Sequence, residues 1–227
     1  MRNLFLISVL LLITTISLNA QDVVPVIQSG HSGSIMFVEW DKTGRYIASA
    51  DDNNEIIIYD IIAGKVFFRT KFPGKKLVTG IRFDDDGLLY ASNTDYAISF
   101  DPSTLKTSEA SHGVPPKKMS ANFKIKNSSL KKADGRTLFN NSAYTKFTYA
   151  AESDDRKYII AGDENGGIYF CNNEMILQHY ESLHSLPIND ISFSKQGNMV
   201  AIASADRSVS IWRLPNYKLE KRLIPRS

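Results

Sequence analysis

Two stretches, HSGSIMFVEWDKTGRYIASADDNNEIIIY (31–59) and HSLPINDISFSKQGNMVAIASADRSVSIW (184–212), carry four marks at identical spacing. From His31 it is nine residues to Trp40, four more to Gly44 and fifteen more to Tyr59; the same steps lead from His184 to Phe193, Gly197 and Trp212. Agreement of every interval over so long a span marks an internal repeat. The tetrapeptide ASAD occurs in both stretches, at 48–51 and 203–206. The repeat, however, aligns Ala48 with Ala201 and Asn53 with Asp206, so the two ASAD copies are displaced by two residues. A shift of two keeps side chains on the same face of a strand, so ASAD reads as a small-residue strand motif and not as the register.

Two weaker copies follow the same plan. IRFDDDGLLYASNTDYAISFD (81–101) repeats the four-residue step from Phe83 to Gly87, with a later hairpin two residues shorter that ends at Phe100. AAESDDRKYIIAGDENGGIYFC (150–171) puts Arg156 at the glycine position, Asn165 at the Asp206 position and Cys171 at the Trp212 position. The turn positions are then 44, 87, 156 and 197, with gaps of 43, 69 and 41. The outer gaps fit one period of about 40–45 residues, and the middle gap holds one period plus an insertion. Each copy reads as an apolar strand, an Asp/Gly turn, a strand of small and β-branched residues, a polar turn and an apolar strand closed by an aromatic. A fourth strand follows, as in KVFFRTKF (65–72) and YKLEKRLI (217–224). Four short antiparallel strands per period make one propeller blade. The expected fold is an all-β propeller of about four blades, over residues 26–72, 73–106, 145–180 and 181–224, with the insertion at 107–144.

This pattern resembles the WD-repeat family. Gly30-His31 matches its Gly-His element, Trp40-Asp41-Lys42-Thr43-Gly44 its first turn, and Tyr59-Asp60 its closing Trp-Asp pair; the last copy has Leu183-His184 and Trp212-Arg213 in those places. The resemblance implies a hydrogen-bonded tetrad in each blade of histidine, strand hydroxyl, turn acid and tryptophan. By position it would use His31, Ser49, Asn53 (or Asp52) and Tyr59 in the first copy, and His184, Ser204, Asp206 and Trp212 in the last. Buried imidazoles need a donor and an acceptor, so such a network has a structural purpose. The family also docks partners where strands enter after the Gly-His turn, which by position suggests Met36 and Asn189. A protein-interaction scaffold is therefore expected, without catalytic residues, metal or cofactor.

Several features compete with that reading. Ser, His and Asp together suggest a catalytic triad, but the set recurs with the repeat, whereas a catalytic site need occur only once. DDDG (84–87) and DENGG (163–167) resemble calcium ligands, yet they fall on turns that every blade requires. His112 and His179 have no partner pattern and read as surface or packing residues. The insertion carries Lys117, Lys118, Lys124, Lys126, Lys131 and Lys132, with Asp134 the one acid from Lys117 onward. It reads as a solvated hairpin off the second blade, the competing reading being a contact for an acidic partner. Asn127-Ser128-Ser129 and Asn140-Asn141-Ser142 are glycosylation sequons.

Residues 1–20, MRNLFLISVLLLITTISLNA, have the layout of a secretory signal peptide, with cleavage expected before Gln21, the competing reading being a short uncleaved anchor helix. That predicts a secreted or periplasmic protein, free of the membrane after cleavage, of the secreted bacterial type of this repeat. The single Cys171 excludes an internal disulfide. A formal net charge of +3 among 227 residues gives no footprint for nucleic acid. Four blades are few for this family, and both an N-terminal strand near VVPVIQ (23–28) and an outer strand at 217–224 compete for the last blade, so one is expected to be surplus. Unusual closure, a homodimer that completes the ring, or a piece of a longer protein would each account for this. The remaining alternative is an accessory subunit of a caspase-like peptidase carried on another chain.

Overall fold

The computed structural model describes residues 26–28, 30–109, 123–139 and 145–225. The expected signal peptide (1–20), His112, Lys117, Lys118 and the sequon at 140–142 lie outside them. Among the described residues all the regular elements are strands, arranged in five sheets. A short β1 (Val26–Gln28) precedes the first blade, which comprises β2 (Ile35–Trp40), β3 (Tyr46–Asp51), β4 (Glu55–Asp60) and β5 (Lys65–Lys71). The second has β6 (Gly80–Phe83), β7 (Leu89–Ser92), β8 (Ala97–Asp101) and β9 (Lys106–Glu109). The insertion forms β10 (Phe123–Lys126), β11 (Ser129–Lys132) and β12 (Thr137–Phe139). The third blade has β13 (Phe147–Glu152), β14 (Tyr158–Asp163), β15 (Gly167–Asn172) and β16 (Leu177–Ser182). The last has β17 (Ile188–Phe193), β18 (Met199–Ser204), β19 (Val209–Arg213) and β20 (Lys218–Ile224). Each four-stranded blade is an antiparallel meander in chain order.

The four turn positions share one geometry. Gly44, Gly87, Arg156 and Gly197 all have positive φ, at 74°, 80°, 58° and 70°. In each, the amide donates to the carbonyl three residues earlier, on Asp41, Asp84, Ser153 and Ser194. Arg156 therefore adopts a left-handed conformation that costs a residue with a Cβ more than it costs glycine.

The apolar runs are continuous because the middle strands are buried on both faces. In β4, Ile56 and Ile58 join Ile81, Leu89 and Phe100 between the first and second blades. Ile57 and Tyr59 point the other way, into a cluster with Ala203, Val209 and Ile211 of the last blade. Ile160, Phe170, Val200 and Trp212 fill the space between third and last blades. Phe123, Leu130 and Leu138 of the insertion sheet pack on Ile159, Ala161 and Tyr169 of the third blade. These clusters order the sheets as second blade, first, last, third, insertion. The row does not close: among the described residues, no corresponding core joins the second blade to the insertion sheet.

Two expectations are corrected. The insertion is not a hairpin off the second blade but a three-stranded sheet on the third, because alternate residues Phe123, Leu130 and Leu138 supply one apolar face. Neither terminal strand is surplus: β1 adds in parallel to the outer edge of β20, pairing Val26 with Arg222 and Gln28 with Ile224. The last blade thus has five strands, and β1 covers a sheet edge that would otherwise be open.

Candidate functional site

The two histidines lie at equivalent places beside the first and last blades, and both are buried. In the last blade, His184 Nδ1 lies 3.0 Å from Asp206 Oδ2 and its Nε2 lies 2.9 Å from Ser210 Oγ. Trp212 Nε1 donates to the same Ser210 oxygen at 2.9 Å. These contacts assign the tautomer. Nδ1–H donates to the carboxylate, Nε2 accepts from the Ser210 hydroxyl, and that hydroxyl accepts from the indole. Every polar group in the chain Trp212–Ser210–His184–Asp206 is satisfied. The hydroxyl expected here, Ser204, is not part of it: Ser204 Oγ donates to Leu186 O and accepts from the Asp206 amide.

The first blade solves the same problem with different residues. His31 Nε2 is 2.7 Å from Ser49 Oγ, and Nδ1 is 3.1 Å from Asp51 Oδ2, off the line of a straight hydrogen bond. The acid is Asp51 and not Asn53 or Asp52; Asn53 instead donates to Ser32 Oγ at 3.1 Å. Tyr59 is fully buried in the core against the last blade. The serines that meet the imidazoles stand on opposite strands of one ladder rung. Ser49 is the cross-strand partner of Ile57, and Ile202 of Ser210; the repeat superimposes Ser49 on Ile202 and Ile57 on Ser210. The third blade has Ala161 opposite Tyr169 on that rung, and the Tyr169 hydroxyl bonds Asp163 at 3.0 Å.

Electrostatics follow from these contacts. Burial by itself would raise the Asp206 carboxyl, but the hydrogen bonds from His184, Ser208 and the Ser185 amide outweigh it and hold the group well below its ordinary value. Asp51 shows the same balance: burial raises it, and His31 with the Glu55 and Gly33 amides brings it below the usual range. Asp51 Oδ1 also accepts from the Asn53 and Glu55 amides, capping the turn between β3 and β4. His31, Asp51 and Glu55 together have a donor set that a metal could use. Glu55, however, pairs with Arg69 at 2.5 Å, and His31 has Ser49 on its other nitrogen, so the cluster is already balanced. Burial drives the Cys171 thiol up to about 12, which leaves it protonated and unreactive.

The proposed docking residues meet across the first and last blades. Asn189 donates to Ile35 O at 2.9 Å and lies 3.8 Å from Met36 Sδ, with Met36 partly exposed. Sequence reasoning missed Asp190, one residue on. It is buried, and its Oδ2 accepts from the Val38 amide at 2.9 Å; burial first, and then the Asp190 carboxylate, drive the Tyr149 hydroxyl strongly upward. The signal was an acid inside an apolar strand, INDISF (188–193). At the opposite ends of the inner strands a cavity of about 280 Å³ draws on four blades, through Glu39, Phe83, Glu152 and Ser192 among others. It is a shallow, mixed-charge funnel in which the Ser192 hydroxyl donates to Glu39 at 3.2 Å, with no histidine in the lining.

Residues 24–60 and 177–213 match the family profile of the WD domain, G-beta repeat. Eukaryotic translation initiation factor 3 subunit I of Sclerotinia sclerotiorum is 24% identical over 198 residues, 86% of this chain and 54% of that protein. WD repeat-containing protein SL1-17 of Schistosoma mansoni is 24% identical over 84% of this chain and 54% of its own length. The chain spans about half the length of these curated relatives. The β-propeller domain of Cps50 (Swd1) from Myceliophteria thermophila superposes with a TM-score of 0.38 at 14% identity, over 86% of this chain and 72% of that one. The profile match and the four-stranded blades support the WD40 repeat family and its β-propeller fold.

Proposed function

We propose that the chain is a non-catalytic, exported scaffold that binds a protein partner on the rim formed by Met36, Asn189 and the neighbouring strand entries. One observation carries this reading: the Ser/His/Asp sets are sealed locks between blades, with Ser49 and Ser210 at 0% exposure, so no substrate reaches them. With the locks assigned to stability, the binding surface falls to loops held at fixed positions by the blades. Export is supported by the leader at 1–20. The test is site-specific photo-cross-linking in the native host, with the photo-reactive residue at Met36 or Asn189 and a control at Leu105 on the turn between β8 and β9. A discrete adduct from the first two sites and none from the third supports the reading. Adducts equally strong from Leu105, or hydrolase activity in the isolated chain that is lost in His184→Ala, would oppose it.

A second reading, in which further blades from another chain or a second copy complete the ring, is favoured by the open row of five sheets. Light scattering coupled to size exclusion decides it. A discrete dimer supports a shared ring, and a compact monomer opposes it.

A further inference from the structure

The insertion sheet has two unlike faces. Phe123, Ile125, Leu130 and Leu138 turn toward the third blade. Lys124, Lys126 and Lys131 project from the other face, all exposed, at the open end of the row of sheets. The register sets Lys124 directly opposite Lys131 on adjacent antiparallel strands. Like charges in that relation are destabilising, and among the described residues no carboxylate pairs with any of the three. Lys132 shows the contrast: its side chain lies on the packed side, nearly buried, and pairs with Glu152 at 2.5 Å. Arg136, at the next turn, is held by Asp134 and by the Asn173 carbonyl. The sheet therefore neutralises its other cations and leaves three uncompensated on one flat face.

We infer that this lysine face docks a short, extended, acidic polypeptide segment of a partner protein. Lys124 and Lys126 lie two residues apart on one strand, a separation of about 6.8 Å, which is also the repeat of alternate side chains in an extended chain. A segment with Asp or Glu at alternate positions would present carboxylates at that spacing, and Lys131 adds a third cation one strand away. Three cations are few for nucleic acid, whose affinity comes from many phosphate contacts, and the formal net charge of the whole chain is only +3. The inference rests on the scaffold reading in one respect, that the occupant is a protein.

The experiment uses the full chain and a fluorescein-labelled alternating Glu-Thr peptide, read by fluorescence anisotropy at low ionic strength, where such contacts are least screened. The triple variant K124Q/K126Q/K131Q is expected to weaken binding about tenfold or more. The control K65Q/K71Q/K75Q removes the same charge from exposed lysines elsewhere and is expected to stay within about twofold. K131E serves as a second variant, and it should weaken the peptide while relieving the Lys124 repulsion. Failure of the wild-type chain to bind the peptide, or equal loss in the control, overturns the proposal. So does a single-stranded oligonucleotide of equal charge that binds more tightly than the peptide through the same lysines. Cross-links at Met36 and Asn189 are read independently, so failure of the wild-type chain to bind the peptide with those adducts intact removes this proposal alone.

Discussion

Ser210→Ala tests the last blade's lock at its centre. The hydroxyl is at 0% exposure and serves two buried groups, accepting from Trp212 Nε1 and donating to His184 Nε2, each at 2.9 Å. Alanine fits the space but leaves an indole N–H and an imidazole nitrogen without partners. Each such group costs about 1–3 kcal/mol when buried and unsatisfied. With partial relaxation the expected loss is about 2–4 kcal/mol, a large share of the 5–15 kcal/mol typical of a folded domain. Urea unfolding followed by the fluorescence of Trp40 and Trp212 measures it as a fall in the midpoint. In a Trp212→Phe background the indole donor is already gone, so Ser210→Ala should cost at least about 1 kcal/mol less. Ser204→Ala is the matched control: it loses a bond to the Leu186 carbonyl and one from the Asp206 amide, for about 1 kcal/mol. A Ser210→Ala loss under about 0.5 kcal/mol, or a Ser204→Ala loss as large, would refute the relay.

Three further outcomes are expected. The depressed Asp206 carboxyl contributes stability that is present above its ordinary value of 3.8 and is lost as pH falls below it; Asp206→Asn should therefore lower stability at neutral pH and flatten the acid limb of the unfolding curve. Lys131→Glu should raise stability by about 0.5 kcal/mol by turning repulsion with Lys124 into attraction, measured by thermal or urea unfolding. Cys171, buried and pushed up to about 12, should resist thiol reagents at pH 8 in the folded chain and react at once in denaturant.

The turns were legible because their geometry is local. Positions 44, 87 and 197 carry the glycine that a positive φ favours, and spacing alone found 156, where arginine occupies the same conformation. The apolar runs of β4 and β19 announced burial on both faces. The hydrogen-bond partners of the two histidines were not legible in the same way. Which serine meets an imidazole depends on cross-strand pairing, and nothing in linear spacing distinguishes Ser204 from Ser210 as the donor. The insertion misled for a related reason. Six lysines dominate its composition, whereas its packing is set by Phe123, Leu130 and Leu138, which join one face only after the strands pair.

The displacement of ASAD by two residues now has a physical account. The aspartate of each copy, Asp51 in one and Asp206 in the other, is the residue that meets the Nδ1 of its histidine. Ile35 pairs with Asp51 and Ile188 with Ser204, so the ladders superimpose Asp51 on Ser204 and leave Asp206 two residues further on. Asp206 lies in the turn after β18, which brings its carboxylate back to the imidazole. In the first blade the acid at the strand end both caps the turn and holds the histidine. In the last blade these tasks are divided, with Ser204 accepting the Asp206 amide and Asp206 holding His184. The serine exchange across the Ser49–Ile57 and Ile202–Ser210 rung follows the same logic. What the two blades share is a polar position on one face of one rung, and either strand can fill it. Only the last blade has a tryptophan in reach of that hydroxyl, which is why its network extends one bond further than that of the first.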